Sequence, residues 1–436
     1  MEIRPKKCLF DLWKATSAPI FHMSEFWPAF NEAGIKDFLA GEGAQPVPMR
    51  ALSTASAMAA QRKILEFMES LKLLPDGDIA CKSAYLDFES ERLAALEMVL
   101  DAADPAKARR LNDRLFGELS SMYQPQALEH LARHIQSIKP KSAAVTAART
   151  TLLEYWEHVG QLASVEQYFA VIEGYRVQLR PLVVRRYGFV DQLLAPHIAQ
   201  GELDSEAVRG ILVQAIAQIL GETAAGWTAL VQEAAPNVFI DYERRAIIIP
   251  AGRSYAIDHV NTLVVHEIGV HVVRSVNGER SQERLAAYGL VGYGPAEEAF
   301  GVLLGNATKA HYHQINSLVP FAVIDFATRA TPSTFRRVHE LTTALMVCLA
   351  NPDEPTLERN YQQYQRTAFS RVNRVLRLGT TAVIERSTTK YWRGLLLLSR
   401  YFDGRGLTQE SFDEFFLGKF DCLAPAQLEL IRHHTR

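Results

Sequence analysis

The stretch Thr262-Leu-Val-Val-His-Glu-Ile-Gly-Val-His-Val-Val-Arg274 is an apolar run broken by one polar constellation, His266, Glu267 and His271. Leu263, Val264, Val265, Ile268, Val270, Val272 and Val273 make it apolar on every side, which predicts a buried helix. Polar groups so far from water must be paired or hold a metal, because an unpartnered buried charge is heavily penalised. Two imidazoles next to a carboxylate are what a hydrolytic zinc site uses. Neutral nitrogens hold the ion, and the acid takes a proton from its water. The segment points to a zinc hydrolase with His266 and His271 as ligands and Glu267 as base.

The spacing demands a distortion. The familiar zinc-peptidase signature places its two His four positions apart, whereas His266 and His271 stand one residue further apart. At roughly 100° per residue, five steps carry the second imidazole about 140° round a regular helix, away from a shared ion. A single π-type turn absorbs the extra residue and swings it back, with Gly269 relieving crowding between the two His. Catalytic zinc also needs a third protein ligand. Downstream, Gly292-Tyr-Gly-Pro-Ala-Glu-Glu-Ala-Phe300 offers two adjacent acids on a helix running to about Tyr312. Neighbours on a helix point about 100° apart, so one of Glu297 and Glu298 faces the metal while the other orients a ligand His or meets solvent.

Outward from this segment the period changes. Val238–Tyr242 and Ala246–Ile249 are β-branched or aromatic and flank Glu243-Arg-Arg245, which predicts a hairpin. Pro250 stops its second strand or marks it as an edge, and an edge strand leading to the metal helix could pair with an extended peptide. The metal helix is expected to start after a capping Asp258 and to stop at Asn277-Gly278. Upstream, Asp204 or Ser205 caps an amphipathic helix whose stripe is Val208, Ile211, Leu212, Ala215, Ile216, Ile219 and Leu220. Helices are also expected over 52–74, 83–102, 105–123, 125–137, 143–162 and 165–184, the last shortened or kinked by Gly174 and Pro181. Residues 1 to about 50, punctuated by Pro, read as an irregular arm. The polar, Pro-containing segment 138–142 is the best domain boundary. The expected fold class is α+β, predominantly α-helical, with a small antiparallel sheet. A helical region over 1–140 precedes a catalytic domain over 141–436.

Composition narrows the partners. With 436 residues, 48% of them hydrophobic, and a formal charge of -2, the chain can bury a sizeable core and carries no basic excess for nucleic acid. Cys8, Cys81, Cys348 and Cys422 are scattered without pairwise spacing, so neither a disulfide framework nor a thiol redox motif is expected. The N-terminus lacks a signal-peptide core and no apolar run reaches spanning length. These features predict a soluble cytoplasmic protein with no membrane partner.

His266-Glu-Ile-Gly-Val-His271, the following Arg274-Ser-Val-Asn-Gly278, and Gly289-Leu-Val-Gly-Tyr293 leading into Glu297-Glu298 together resemble the family with a Gln-Glu-Gly-Leu-Ala signature. That family includes the microtubule-associated tyrosine carboxypeptidases. The similarity spans about residues 235 to 400. It implies a zinc carboxypeptidase fold in which the two motif His and the signature's Glu bind Zn2+. By position the signature's Gln falls on Glu297 and its Glu on Glu298, so the resemblance makes Glu298 the third ligand. It also places Arg374-Val-Leu-Arg377 on an Arg-rich motif. Arg holds a carboxylate through two parallel hydrogen bonds, so Arg374 and Arg377 become candidates for the substrate's C-terminal carboxylate. The family's Lys one turn before the Tyr391 position is Ser387 here, and the nearest Lys is Lys390. Tyr293 or Tyr391 could stabilise the oxyanion. The implied partner is the C-terminal tail of a protein or peptide. An aminopeptidase or dipeptidyl-peptidase with the same zinc chemistry, or a zinc-stabilised scaffold that does not cut, are the competing readings. His311 and His313, on either side of Tyr312, read as residues at a helix end.

Overall fold

A computed structural model describes residues 4–16, 32–41, 46, 53–73, 79–100, 106, 118–157, 166–221, 226–233, 235, 237–281, 283–307, 314–376, 384 and 390–432. The chain opens with helices α1 (Arg4–Thr16), α2 (Glu32–Ala40), α3 (Thr54–Lys72), α4 (Ile79–Leu100), α5 (Glu118–Ser137), α6 (Ala143–Tyr155), α7 (Glu166–Tyr187) and α8 (Phe189–Leu194). Strand β1 (Glu202–Asp204) leads into α9 (Ser205–Leu220). Then come β2 (Thr228–Gln232), β3 (Phe239–Asp241), β4 (Ala246–Pro250) and β5 (Ser254–Ala256). A continuous helical run follows: α10 (Ile257–Leu263), a π segment (Val264–Val272) and α11 (Val273–Arg280). The chain continues through α12 (Tyr293–Ala307), α13 (Val319–Arg329), α14 (Phe335–Ala350), α15 (Glu354–Val375), α16 (Lys390–Arg405), α17 (Gln409–Glu414) and α18 (Pro425–Arg432). The fold is predominantly α-helical α+β, with one antiparallel strand pair and one mixed three-stranded sheet. Among the described residues no helix is long and apolar enough to cross a membrane.

Local chemistry explains where elements begin. The Asp204 carboxylate accepts the Ala207 N–H at 2.8 Å, opening α9, whose Val208, Ile211, Leu212, Ala215, Ile216 and Leu220 are buried at helical spacing. Burying each of the large aliphatic side chains in that stripe stabilises by about 1.5–3 kcal/mol. The stripe packs on the π segment and on β2. Pairing of β1 with β5 in the register Leu203↔Tyr255 ties the start of α9 to the start of α10, and so aims the helical run that carries His266, Glu267 and His271.

Several expectations change. β4 is the central strand, not an edge: it pairs antiparallel with β3 (Ile240↔Ile247) and parallel with β2 (Leu230↔Ile248). All five of its residues are buried. Pro250 sits at its last position, where a missing N–H leaves the ladder intact. The edge beside the π segment is β3. The helix expected to bear the metal starts at Ile257 with Ala256 as N-cap, and Asp258 lies in its first turn without capping. It also passes Asn277-Gly278 and stops at Arg280. Gly278 serves packing, since a Cβ there would stand 2.4 Å from the Ala286 carbonyl. The N-terminal arm contains α1 and α2, α5 runs unbroken through Pro125, and α7 contains Pro181 without ending.

Two large apolar clusters organise the helices. One gathers Trp13, Phe67 and Phe88 with α9, the π segment, α12 and α16. The other gathers Phe38, Leu131 and Ile135 with α6, α13, α14 and α15. Residues before 140 enter both clusters. Cys81, Cys348 and Cys422 are buried free thiols.

Candidate metal centre

The π segment covers nine residues, Val264–Val272, and so is longer than one bulged turn. In i→i+5 winding, residues five apart return nearly to the same face. That brings the His266 and His271 rings to 4.9 Å between centroids. Gly269 has a different task from easing helix crowding. Its carbonyl accepts the Tyr187 hydroxyl at 2.8 Å, and a Cβ would lie 2.9 Å from Tyr187 Cζ. Tyr187, from the end of α7, thus satisfies a carbonyl in the wide helix while packing against it.

His266, Glu267 and His271 offer donor atoms within 4.8 Å of one another. A fourth donor comes from α12. Glu298 Oε2 stands 3.8 Å from His266 Nε2 and 4.0 Å from His271 Nε2, while Oε1 is held by Lys390 Nζ at 2.7 Å. Tetrahedral zinc with bonds of about 2.0–2.2 Å separates its donors by roughly 3.4 Å, so Glu298 Oε2 needs to close on each of the two imidazole nitrogens by only about half an ångström. The donor set fits zinc. Glu267 and Glu298 therefore both offer a carboxylate as a donor beside the two imidazoles. Glu298 aims one oxygen at both Nε2 atoms and has its other oxygen occupied, which suits a one-oxygen ligand and leaves Glu267 available as a base.

The electrostatics favour a cation. Burial opposes charge on His266, but Glu267 first, then Glu298 and Glu297, outweigh it and raise its pKa. Burial pushes the Glu298 carboxyl up, yet Lys390 and the two imidazoles hold it well below the usual range. Glu298 is placed by the contact of α12 with α16, where Gly394 lies so close to the Pro295 carbonyl that no Cβ would fit.

Glu297 turns the other way. Its Oε1 lies 2.5 Å from His271 Nδ1 and its Oε2 accepts from Arg274 at 2.7 Å. This is the carboxylate–histidine arrangement that fixes a metal-binding imidazole with Nε2 free. Lys419 Nζ lies 3.4 Å from Glu297 Oε1 and donates to the Tyr242 hydroxyl at 2.6 Å. Burial works to raise the Glu297 carboxyl, but Lys419, then Arg274 and His271, hold it at about 2.

The other predicted residues divide. Tyr391 stands beside Glu298, with Glu267 a further neighbour, and is kept protonated by burial first. Tyr293 is also kept protonated by burial and then by Glu297. It faces the Nδ1 side of the cluster, with Lys419 Nζ 5.6 Å from its ring centre. Arg374 lies on α15 near Tyr391. Arg377, His311 and His313 lie outside the described residues. Sequence reasoning missed Lys419, Tyr242 and Tyr187; Arg371 it counted in the basic stretch of six Arg between Arg366 and Arg393 without choosing it for the carboxylate. It quoted Arg274 without a role, although a charged residue three positions after His271 on an otherwise apolar run was a signal that something buried pairs with it.

Gly301 supplies a prediction. It lies on α12 against His266, and a Cβ there would stand 2.8–2.9 Å from three atoms of that imidazole. Gly301→Ala is expected to rotate the ring and weaken zinc binding by about tenfold or more, in the range seen when a ligand's support is lost. Chelator competition on the folded variant measures this; unchanged affinity would mean that the ring tolerates the methyl group.

Compared with known proteins, the chain matches no family model and no curated protein.

Proposed function

We propose that this protein is a zinc-dependent peptidase that removes residues from the C-terminal end of a protein or peptide. The observation that carries the reading is the convergence of His266 Nε2 and His271 Nε2 on Glu298 Oε2, with Glu267 in the same cluster. His266, His271 and Glu298 would hold the ion. When bound there, zinc supplies an acidified water and a polarised carbonyl near neutral pH. The chain does the rest. Glu267 takes the proton from the water as its oxygen bonds to the scissile carbonyl carbon. It returns that proton to the amide nitrogen as the C–N bond breaks. Tyr391, held protonated beside Glu298, donates its hydroxyl hydrogen to the carbonyl oxygen as negative charge gathers there.

The preference for a C-terminus is supported by two cations. Arg371 and Arg374 stand three apart on α15. The Arg371 pKa is lowered by burial and then by Arg374, with Tyr391 adjacent. Among the described residues no carboxylate pairs with either of them. Such a pair suits a terminal carboxylate. Arg393 is different, because it already faces Glu91 and Asp421. An aminopeptidase would need a free acid to hold an amine, but Glu91, the further acid beside Tyr293, lies against the Gly292 amide and Arg393. The resemblance to the Gln-Glu-Gly-Leu-Ala family points the same way.

The test joins metal analysis to digestion of matched peptides blocked at one end, read by mass spectrometry. Stoichiometric zinc, cleavage of N-acetylated peptides, protection by C-terminal amidation and loss of activity with chelator are expected. Cleavage that survives amidation but stops on acetylation would assign an aminopeptidase instead. Zinc-loaded protein that leaves every peptide intact would leave a binding scaffold.

A further inference from the structure

The segment 416–421 runs against the metal helix and is stitched to it by side chains of that helix. Arg274 Nε donates to the Gly418 carbonyl at 2.7 Å and Asn277 Nδ2 to the Phe416 carbonyl at 2.7 Å. The Lys419 backbone pairs with Ala286 and Leu290, its N–H donating at 2.9 Å and its carbonyl accepting at 2.8 Å. These bonds deliver the Lys419 ammonium, with 0% of its side chain exposed, to Glu297, whose side chain is 2% exposed. Arg274, equally buried, already neutralises that carboxylate. A fully buried ammonium is costly unless its partners are well placed. Its geometry names those partners. Lys419 reaches Oε1, the same oxygen that meets His271 Nδ1, while Arg274 takes Oε2. The Tyr242 hydroxyl holds the ammonium from the other side.

We propose that Lys419 is a positioning residue of the metal centre. By holding Glu297 Oε1 in place against His271 Nδ1, it fixes that imidazole with Nε2 turned towards Glu298. The inference rests on the metal reading above. It makes the strap at residues 416–421 part of the centre, although it contributes no ligand.

The experiment compares zinc affinities, by chelator competition, of full-length wild type, Lys419→Met, Glu297→Gln and the double variant. Circular dichroism and thermal melting of the metal-free proteins check the fold. Lys419→Met is expected to bind zinc about 10–100-fold more weakly. In the Glu297→Gln background the same change is expected to add little, because the route through the carboxylate is already broken. Equal affinity of Lys419→Met and wild type, or independent effects that multiply in the double variant, would overturn the proposal. Should Lys419→Met not fold, Lys419→Gln keeps a donor for Tyr242 without the charge. A readout on unaltered protein stands beside these: imidazole 15N shifts of metal-free wild type should place the His271 proton on Nδ1, and a proton on Nε2 would refute the role. Wild type that binds no zinc would sink the metal reading itself. Wild type that binds normally beside an equally tight Lys419→Met would sink only this inference.

Discussion

Protein carrying Glu267→Gln is expected to bind zinc as tightly as wild type and to lose peptide hydrolysis by at least about 10²–10⁴-fold. The amide keeps the size and shape of the carboxylate but has no basic oxygen to take the water's proton. The proposed ligand atoms His266 Nε2, His271 Nε2 and Glu298 Oε2 are untouched. Glu267 and Glu298 are both candidates for the third ligand, so the variant also separates their roles. If Glu267 were the third ligand and Glu298 only a neighbour, Glu267→Gln would shed zinc while Glu298→Gln kept it. The proposed assignment requires the reverse. Glu298→Gln should weaken zinc binding, because a neutral amide oxygen is a poorer ligand and Lys390, now bonded to Glu298 Oε1 at 2.7 Å, would lose its anionic partner. Normal turnover by pure Glu267→Gln protein would remove the peptidase mechanism, whatever the metal content.

The second large effect is on stability. Arg274→Leu is expected to cost about 3–5 kcal/mol, the range for removing one partner of a buried ion pair. Its side chain is 0% exposed. Besides Glu297, it satisfies the carbonyls of Gly418 and Phe420 and stacks over Phe415 with 4.2 Å between the guanidinium carbon and the ring centre. Leucine fills part of the volume and none of the hydrogen-bonding demand, so two buried carbonyls and half of a carboxylate are left without their donor. The measurement is the denaturant midpoint of metal-free protein, with unchanged dependence on denaturant as the sign that the same surface unfolds. Arg209→Ala is the control. Its partner Glu206 is one turn away and both side chains are largely exposed, so its cost should stay within about 0.5 kcal/mol. A loss below about 1 kcal/mol for Arg274→Leu would mean that Lys419 alone carries Glu297.

The helices whose signal is local were legible. The stripe of α9 and its Asp204 cap repeat over a few turns, and each residue's partner along the helix lies three or four positions away. The two His five apart were also legible as a contradiction, since no regular helix aligns them. The contradiction called for a π turn, and the chain winds nine residues that way. β2 carried no such signal. Thr228-Ala-Leu-Val-Gln232 is short and pairs parallel with β4 across an intervening strand, so nothing in its own residues announces it. Without β2 in view, Pro250 looked like an edge marker.

What the amino-acid order determined by itself is whatever depends on neighbours within a turn or two: the helical class, the apolar helix, the pairing of imidazoles with an acid, and the need to deform that helix. Tertiary structure alone decided which of two adjacent glutamates faces both Nε2 atoms and which meets His271 Nδ1. That choice depends on the rotation of α12 against α16, set by the close approach at Gly394. It also alone brought Lys419, Tyr242 and Tyr187 to the cluster from distant parts of the chain. Hydrogen bonds and ion pairs act over a few ångströms of space regardless of separation along the backbone, so only packing can select which distant groups come within their range.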